Sequence, residues 1–207
     1  MRLLGTGDTS EEEGSLMIDI TQPAIALNDS RTRCNYLMQE SRSILPSFKR
    51  QQIVDLVADF ALNKSTDHSL FDLDGELVIP KDVVGKVNVV INCHGSPGHL
   101  LLGEGIGRND VQLFARWRGL VEKIWIVACK AAYIKSKGST TDGNIFCSEL
   151  AKHAECYVVA GTETQWFRTS YPFGKIDSFE GLVLSYGPNG DVTWSHRYPS
   201  SWKANRE

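Results

Sequence analysis

Three short apolar runs constrain this chain more than any other feature. They are Val87-Asn88-Val89-Val90-Ile91-Asn92, Ile124-Trp125-Ile126-Val127 and Cys156-Tyr157-Val158-Val159-Ala160. The runs are nearly continuous rather than alternating. That is the pattern of a strand covered on both faces, as in a parallel sheet. Between the first and second lies 109–122, where Asn109 or Asp110 is placed to cap a helix. Leu113, Phe114, Trp117, Leu120 and Val121 would form its inward face. Between the second and third lies 142–154, a second helical pattern. Strand, helix, strand, helix, strand implies an α/β fold with a doubly wound, mostly parallel sheet.

The flanks read as follows. Residues 1–15 are polar and acidic, a flexible N-terminal arm, and 16–207 form a single domain. Residues 16–27 suit a strand, with Pro23 marking an edge or a bend. Residues 30–44 are compatible with a helix. Ser47 is placed to cap another helix running to Asn63, with Phe48, Ile53, Leu56, Val57 and Phe60 at helical spacing. Asp74-Gly75 between two apolar stretches predicts a hairpin. A second hairpin is predicted from Leu182–Tyr186 and Asp191–Trp194.

Composition narrows the function classes. The chain has 207 residues, 42% hydrophobic, with 22 Lys+Arg against 25 Asp+Glu. That is too apolar for a disordered chain and too acidic for binding nucleic acid through bulk positive charge. No run reaches the ~18 apolar residues of a membrane span. The five cysteines are odd in number and few for the length, which argues against a disulfide framework. The N-terminus lacks the apolar core of a secretory signal. The expected setting is the cytoplasm, or another cell's cytosol reached as an exported effector. No His-x-x-x-His or Cys-x-x-Cys spacing occurs, so no metal and no required cofactor is expected.

Ligands of an open parallel sheet bind beyond the carboxyl ends of its strands. Here one such end carries His94-Gly95 and the next carries Ala128-Cys129. Consecutive strands of this kind usually lie side by side, about 4.8 Å apart. An imidazole and a thiol would therefore face one crevice. A Cys thiolate attacks a carbonyl carbon, and a nearby His takes the thiol proton and later protonates the leaving amine. The N–H groups of Gly95 and Cys129 would form the oxyanion hole. By itself, Cys129 would more often be a small buried packing residue; its pairing with His94 sets it apart. Cys34, Cys93, Cys147 and Cys156 read as packing residues. His99, beyond Pro97-Gly98, reads as a surface or pocket-lining residue.

An apolar strand ending in His-Gly, VNVVINCHG, followed by one ending in Ala-Cys, KIWIVACKA, resembles the caspase-like (clan CD) cysteine peptidases. The stretch GNIFCSELAKHAECYVVAGT that follows is similar to the bacterial toxin-type cysteine protease domains of that group. The resemblance covers residues 85–165. It implies a caspase-like three-layer sandwich, with a mostly parallel central sheet flanked by helices. It also implies a cysteine endopeptidase with Cys129 as nucleophile and His94 as base, acting on a protein or peptide or on the chain itself. Thr162, Trp166 and Phe167 would help line the substrate pocket, favouring an apolar residue before the cut. Arg108, Arg116, Arg118 and Lys130, within a basic stretch that includes Lys123, Lys135 and Lys137, would form an anion site. Inositol hexakisphosphate would be its activator, as in the toxin-type domains; a solvated helix face is the plainer reading of those charges.

The sequence departs from animal caspases in lacking Gln-Ala-Cys-x-Gly at the nucleophile, where Lys130-Ala131-Ala132 follows Cys129. Asp72, Asp74 and Asp82 have no motif to recommend them as a third catalytic group, so the expectation is a dyad. Two other readings stand beside it. One is a catalytically inert interaction module using the same crevice. The other is an α/β-hydrolase-type esterase suggested by His94-Gly95-Ser96-Pro97-Gly98, against which the chain lacks a Gly-x-Ser-x-Gly elbow. Oligomeric state is left open by the sequence.

Overall fold

The computed structural model describes residues 17–65, 85–135, 139, 141–166 and 170–200. The expected N-terminal arm, the Asp74-Gly75 hairpin, Lys137 and Phe167 lie outside the described residues. In chain order the strands are β1 (Met17–Asp19), β2 (Ala24–Asp29) and β3 (Glu40–Ile44), then helix α1 (Arg50–Ser65) and β4 (Val87–Asn92). A small ribbon follows: β5 (His94–Ser96), β6 (His99–Leu101) and β7 (Ile106–Gly107). A 310 helix (Arg108–Trp117) leads to β8 (Val121–Val127), α2 (Gly143–Ala154), β9 (Tyr157–Gly161), β10 (Lys175–Asp177), β11 (Leu182–Tyr186) and β12 (Val192–Arg197).

Seven strands form the central sheet in the order β12-β11-β9-β8-β4-β2-β3. The five from β9 to β3 are parallel neighbours, and β11 and β12 add an antiparallel edge. The fold is thus α/β with a mostly parallel sheet, as the apolar runs require. β2 and β4 are buried along their whole length.

Among the described residues the helices gather on one face of the sheet. From β3 the chain crosses to β4, then β8, then β9, always in one direction. Right-handed crossovers in one direction place every connecting helix on one face. Accordingly α1, the 310 helix and α2 all contribute to one core with Ile25, Val89, Ile91, Ile124 and Val158. Only the step from β2 to β3 runs the other way. Its connection, carrying Cys34, Tyr36 and Met38, covers the opposite face together with Tyr171, Ile176 and Phe179. Among the described residues that face is covered by coil and the β1–β10 ribbon rather than by helices.

Other local differences have identifiable causes. Residues 30–44 do not form a helix. The buried Asn28 side chain accepts from the Tyr36 N–H at 2.8 Å and donates to the Tyr36 carbonyl at 3.0 Å, holding the segment extended into β3. Pro23 stands at a bend, one of the two expected alternatives, just before the interior strand β2, and its carbonyl accepts the Asn88 N–H. Helix α1 begins at Arg50, where the Glu104 carboxylate, not Ser47, takes the first N–H at 3.1 Å. The segment expected as a helix over 109–122 is a 310 helix that stops early. Gly119, at φ +73°, turns the chain so that β8 starts at Val121. Its inward face holds Phe114 and Trp117 as expected, with Val111 beside them. Asp142 caps α2, accepting from Asn144 and Ile145.

Candidate active site

The order of the sheet reverses between β2 and β4, because β2 leads outward to β3 while the chain returns to β4. Crevices form at such a reversal, beyond the carboxyl ends of the strands. His94 follows β4 there, and Arg31 follows β2. The register of β4 on β8 pairs Asn92 with Val127, and the Cys93 N–H extends the ladder by donating to the Val127 carbonyl. His94 and Cys129 lie two residues beyond that register pair. Side-chain alternation puts Cys93 into the helix-side core and leaves His94 on the other side. His94 is not the free end of the strand: it opens the β5–β6 hairpin, paired with Leu101.

Gly95 fixes how close the two strand ends come. A Cβ on it would stand 2.7 Å from the Cys129 carbonyl oxygen, 3.0 Å from Ala128 Cβ and 3.3 Å from the Cys129 nitrogen. No side chain fits there. The next residue, Lys130, holds φ +57°, a left-handed conformation that L-residues adopt at a cost of roughly 1–2 kcal/mol. Two backbone bonds keep it so: the Lys130 N–H to the Glu163 carbonyl at 2.9 Å and the Tyr133 N–H to the Lys130 carbonyl at 3.0 Å. Strain of this kind gathers at functional turns. Among the described residues the Cys129 N–H has no backbone acceptor, so it is available as an oxyanion donor.

Cys129 is the one partly exposed cysteine; the other four are buried. Burial pushes the thiols of Cys34, Cys93 and Cys147 upward and that of Cys156 up to about 12, so all four are inert at neutral pH. The Cys129 sulfur instead accepts the Gln165 N–H at 3.4 Å and lies 3.8 Å from the Gln165 carbonyl. His94 is exposed, and its Nε2 stands 3.2 Å from the Arg31 carbonyl oxygen. A carbonyl only accepts, so this contact calls for hydrogen on Nε2. In neutral imidazole that leaves Nδ1 as the basic nitrogen.

The remaining predicted residues are placed less uniformly. Thr162 is buried, with both its N–H and its hydroxyl donating to the Leu182 carbonyl at the end of the sheet. Trp166 is 54% exposed, one residue past Gln165. The cations do not converge. Arg108 is held by Glu149 through two bonds of 2.7 and 2.6 Å, Arg116 faces Asp55 on α1, and Arg118 faces Glu155 at the end of α2. Lys130 is exposed in the turn after Cys129. His99 lines a polar cleft of ≈ 840 Å³ with Arg108, Asp110 and Glu149. Among the described residues no group of three or more His, Cys, Asp or Glu is arranged to hold a metal, and no helix is long and apolar enough to cross a membrane.

Arg31 and Gln165, the residues touching His94 and Cys129, escaped the sequence reading because they act through backbone atoms. Comparison with protein-family models gives no match to this chain, and comparison with curated proteins gives none either.

Proposed function

We propose that this chain is a caspase-like cysteine endopeptidase, with Cys129 as nucleophile and His94 as general acid–base. One observation carries the reading: Gly95, next to His94, lies against the backbone of Cys129 with no room for a side chain. The thiol so placed is also the only cysteine side chain that is not buried.

In the proposed cycle the Cys129 thiol gives its proton to His94 Nδ1, while Nε2–H stays on the Arg31 carbonyl. The thiolate attacks the substrate carbonyl carbon, and the N–H groups of Gly95 and Cys129 receive the oxyanion. His94 then protonates the leaving amine as the C–N bond breaks, leaving a thioester. A water molecule, deprotonated by His94, hydrolyses the thioester and restores the thiol. Trp166, exposed and next in sequence to the Gln165 that contacts the thiol, would offer an apolar wall that favours an apolar residue before the cut. The proposal contains no polyphosphate activator, since the three arginines are already engaged by carboxylates. Five unpaired cysteines suit a reducing compartment such as a cytosol.

The test is digestion of a peptide library by wild type, Cys129→Ala and His94→Ala. Cleavage by wild type alone supports the reading. Equal cleavage patterns from all three refute the assignment, and the absence of cleavage by any favours the inert module.

A further inference from the structure

We propose that Asp29 and Arg31 are positioning residues that hold His94 in the tautomer and orientation the dyad needs. The proposal rests on the dyad reading above. Asp29 is the last residue of β2 and is fully buried. Its carboxylate accepts from Arg31 Nε and Nη2, each at 2.6 Å, from the Arg31 N–H at 3.0 Å and from the Gly103 N–H at 3.1 Å. Burial alone would raise its pKa; the bonds from Arg31 and Gly103 outweigh that and hold it below the ordinary carboxylate value. The acid therefore stays charged and the fork stays closed.

Arg31 is gripped at both its backbone and its side chain, and it acts outward in two directions. Its carbonyl meets His94 Nε2 at 3.2 Å. Its guanidinium donates to the carbonyls of Leu101 at 3.0 Å and Gly103 at 2.8 Å. Leu101 is the register partner of His94 in the β5–β6 hairpin. One arginine thus fixes the ring through its carbonyl and the strand paired with that residue through its side chain. The charged groups gathered there are Asp29 and Arg31, both from the end of β2.

A planar fork is needed for this geometry; a lysine supplies charge but not two directed bonds to one carboxylate and two more to carbonyls. A clamp serving stability alone would have no effect on which imidazole nitrogen carries hydrogen. The clamp proposed here fixes that hydrogen on Nε2 and leaves Nδ1 as the nitrogen free to act as a base.

Two measurements on the full chain test this. The first is nitrogen NMR of His94 in the wild type above its pKa. The Nε2-protonated tautomer is expected, and the Nδ1-protonated tautomer would overturn the proposal without any variant. The second is the pH dependence of iodoacetamide alkylation at Cys129, read by mass spectrometry, for wild type, Arg31→Lys, Asp29→Asn and His94→Ala. Wild type should keep reacting below the range of an ordinary thiol, and His94→Ala should abolish that reactivity. Folded Arg31→Lys should lose roughly tenfold at the acid end, the scale expected when a reacting group is misplaced by a fraction of an ångström. Folded Arg31→Lys and Asp29→Asn proteins with the wild-type profile overturn the clamp and leave the dyad standing. A wild-type profile identical to that of His94→Ala overturns the dyad, and the clamp with it.

Discussion

Gly95→Ala is the substitution that most directly probes the contact between the two strand ends. The added methyl would lie 2.7 Å from the Cys129 carbonyl oxygen, against 3.4 Å for ordinary contact, so about 0.7 Å must be found. The atoms met are backbone, held by the β4–β8 ladder on one side and by the Lys130 bonds on the other, so no flexible side chain can yield. Overpacking of this kind costs roughly 1–3 kcal/mol. For a chain of this size each kcal/mol lowers Tm by about 2–4 °C. Catalysis should suffer more, because the displaced atoms carry the nucleophile and the proposed oxyanion donor. A misplacement approaching 1 Å lowers the rate by up to about 100-fold, so a loss in kcat/KM of between tenfold and 100-fold is expected. The assay pairs thermal unfolding with cleavage of the best library peptide, and alkylation of Cys129 gives a substrate-free readout. A variant matching wild type in Tm, alkylation and cleavage would refute the argument that His94-Gly95 packs against Cys129.

Three further outcomes are expected. Iodoacetamide added to native protein at neutral pH should modify Cys129 first, with the four buried cysteines protected until unfolding; peptide mapping that finds Cys93 or Cys147 modified first would contradict the burial argument. Asp29→Asn should lower stability at pH 7 by roughly 1.5–3 kcal/mol, the scale of hydrogen bonds to a charged group, since Arg31 is partly exposed. Because the folded pKa of Asp29 is depressed, its contribution is present above the unfolded value, about 3.9, and is lost as pH falls through the folded value. Urea titrations should therefore show wild type and Asp29→Asn converging in acid; a gap that persists or widens there would be inconsistent with this linkage. Asp142→Ala removes the acceptor for the Asn144 and Ile145 N–H groups at the start of α2. It should lower stability by about 1 kcal/mol while the pH profile of Cys129 alkylation keeps its shape, and a changed profile would mean that the cap reaches the thiol.

The inner strands β4, β8 and β9 were legible because burial on both faces forces continuous apolar runs, whereas β3, exposed along most of its length, carries no such run. Helix α2 was legible as a helical pattern over 142–154, and the structure adds its Asp142 cap and the inward Phe146, Leu150 and Ala154. Residues 30–44 misled because their spacing tolerates a helix, whereas one buried side chain, Asn28, decides their path; a long-range hydrogen bond leaves no periodicity behind. Gly119 ended the 310 helix at a point that apolar spacing ran across. In the candidate site, His94 and Cys129 could be read because side-chain chemistry at strand ends is visible in sequence. Their partners could not: the Arg31 carbonyl and the Gln165 backbone are groups every residue possesses. Asp29 sits at the end of a uniformly buried strand, and only the fold brings its carboxylate under Arg31 and Gly103. The partners of Arg108, Arg116 and Arg118 could not be read either: Glu149, Asp55 and Glu155 lie far from them in sequence.

The central claim is that Cys129 engages a peptide carbonyl with the help of His94. Its most direct test is the mass of the protein after reaction with a pool of peptidyl acyloxymethyl ketones varied at the residue before the reactive group. A single adduct on Cys129 is expected, suppressed by competing library peptides and missing from His94→Ala. No adduct, or an adduct on Cys129 formed equally fast without His94, would contradict it.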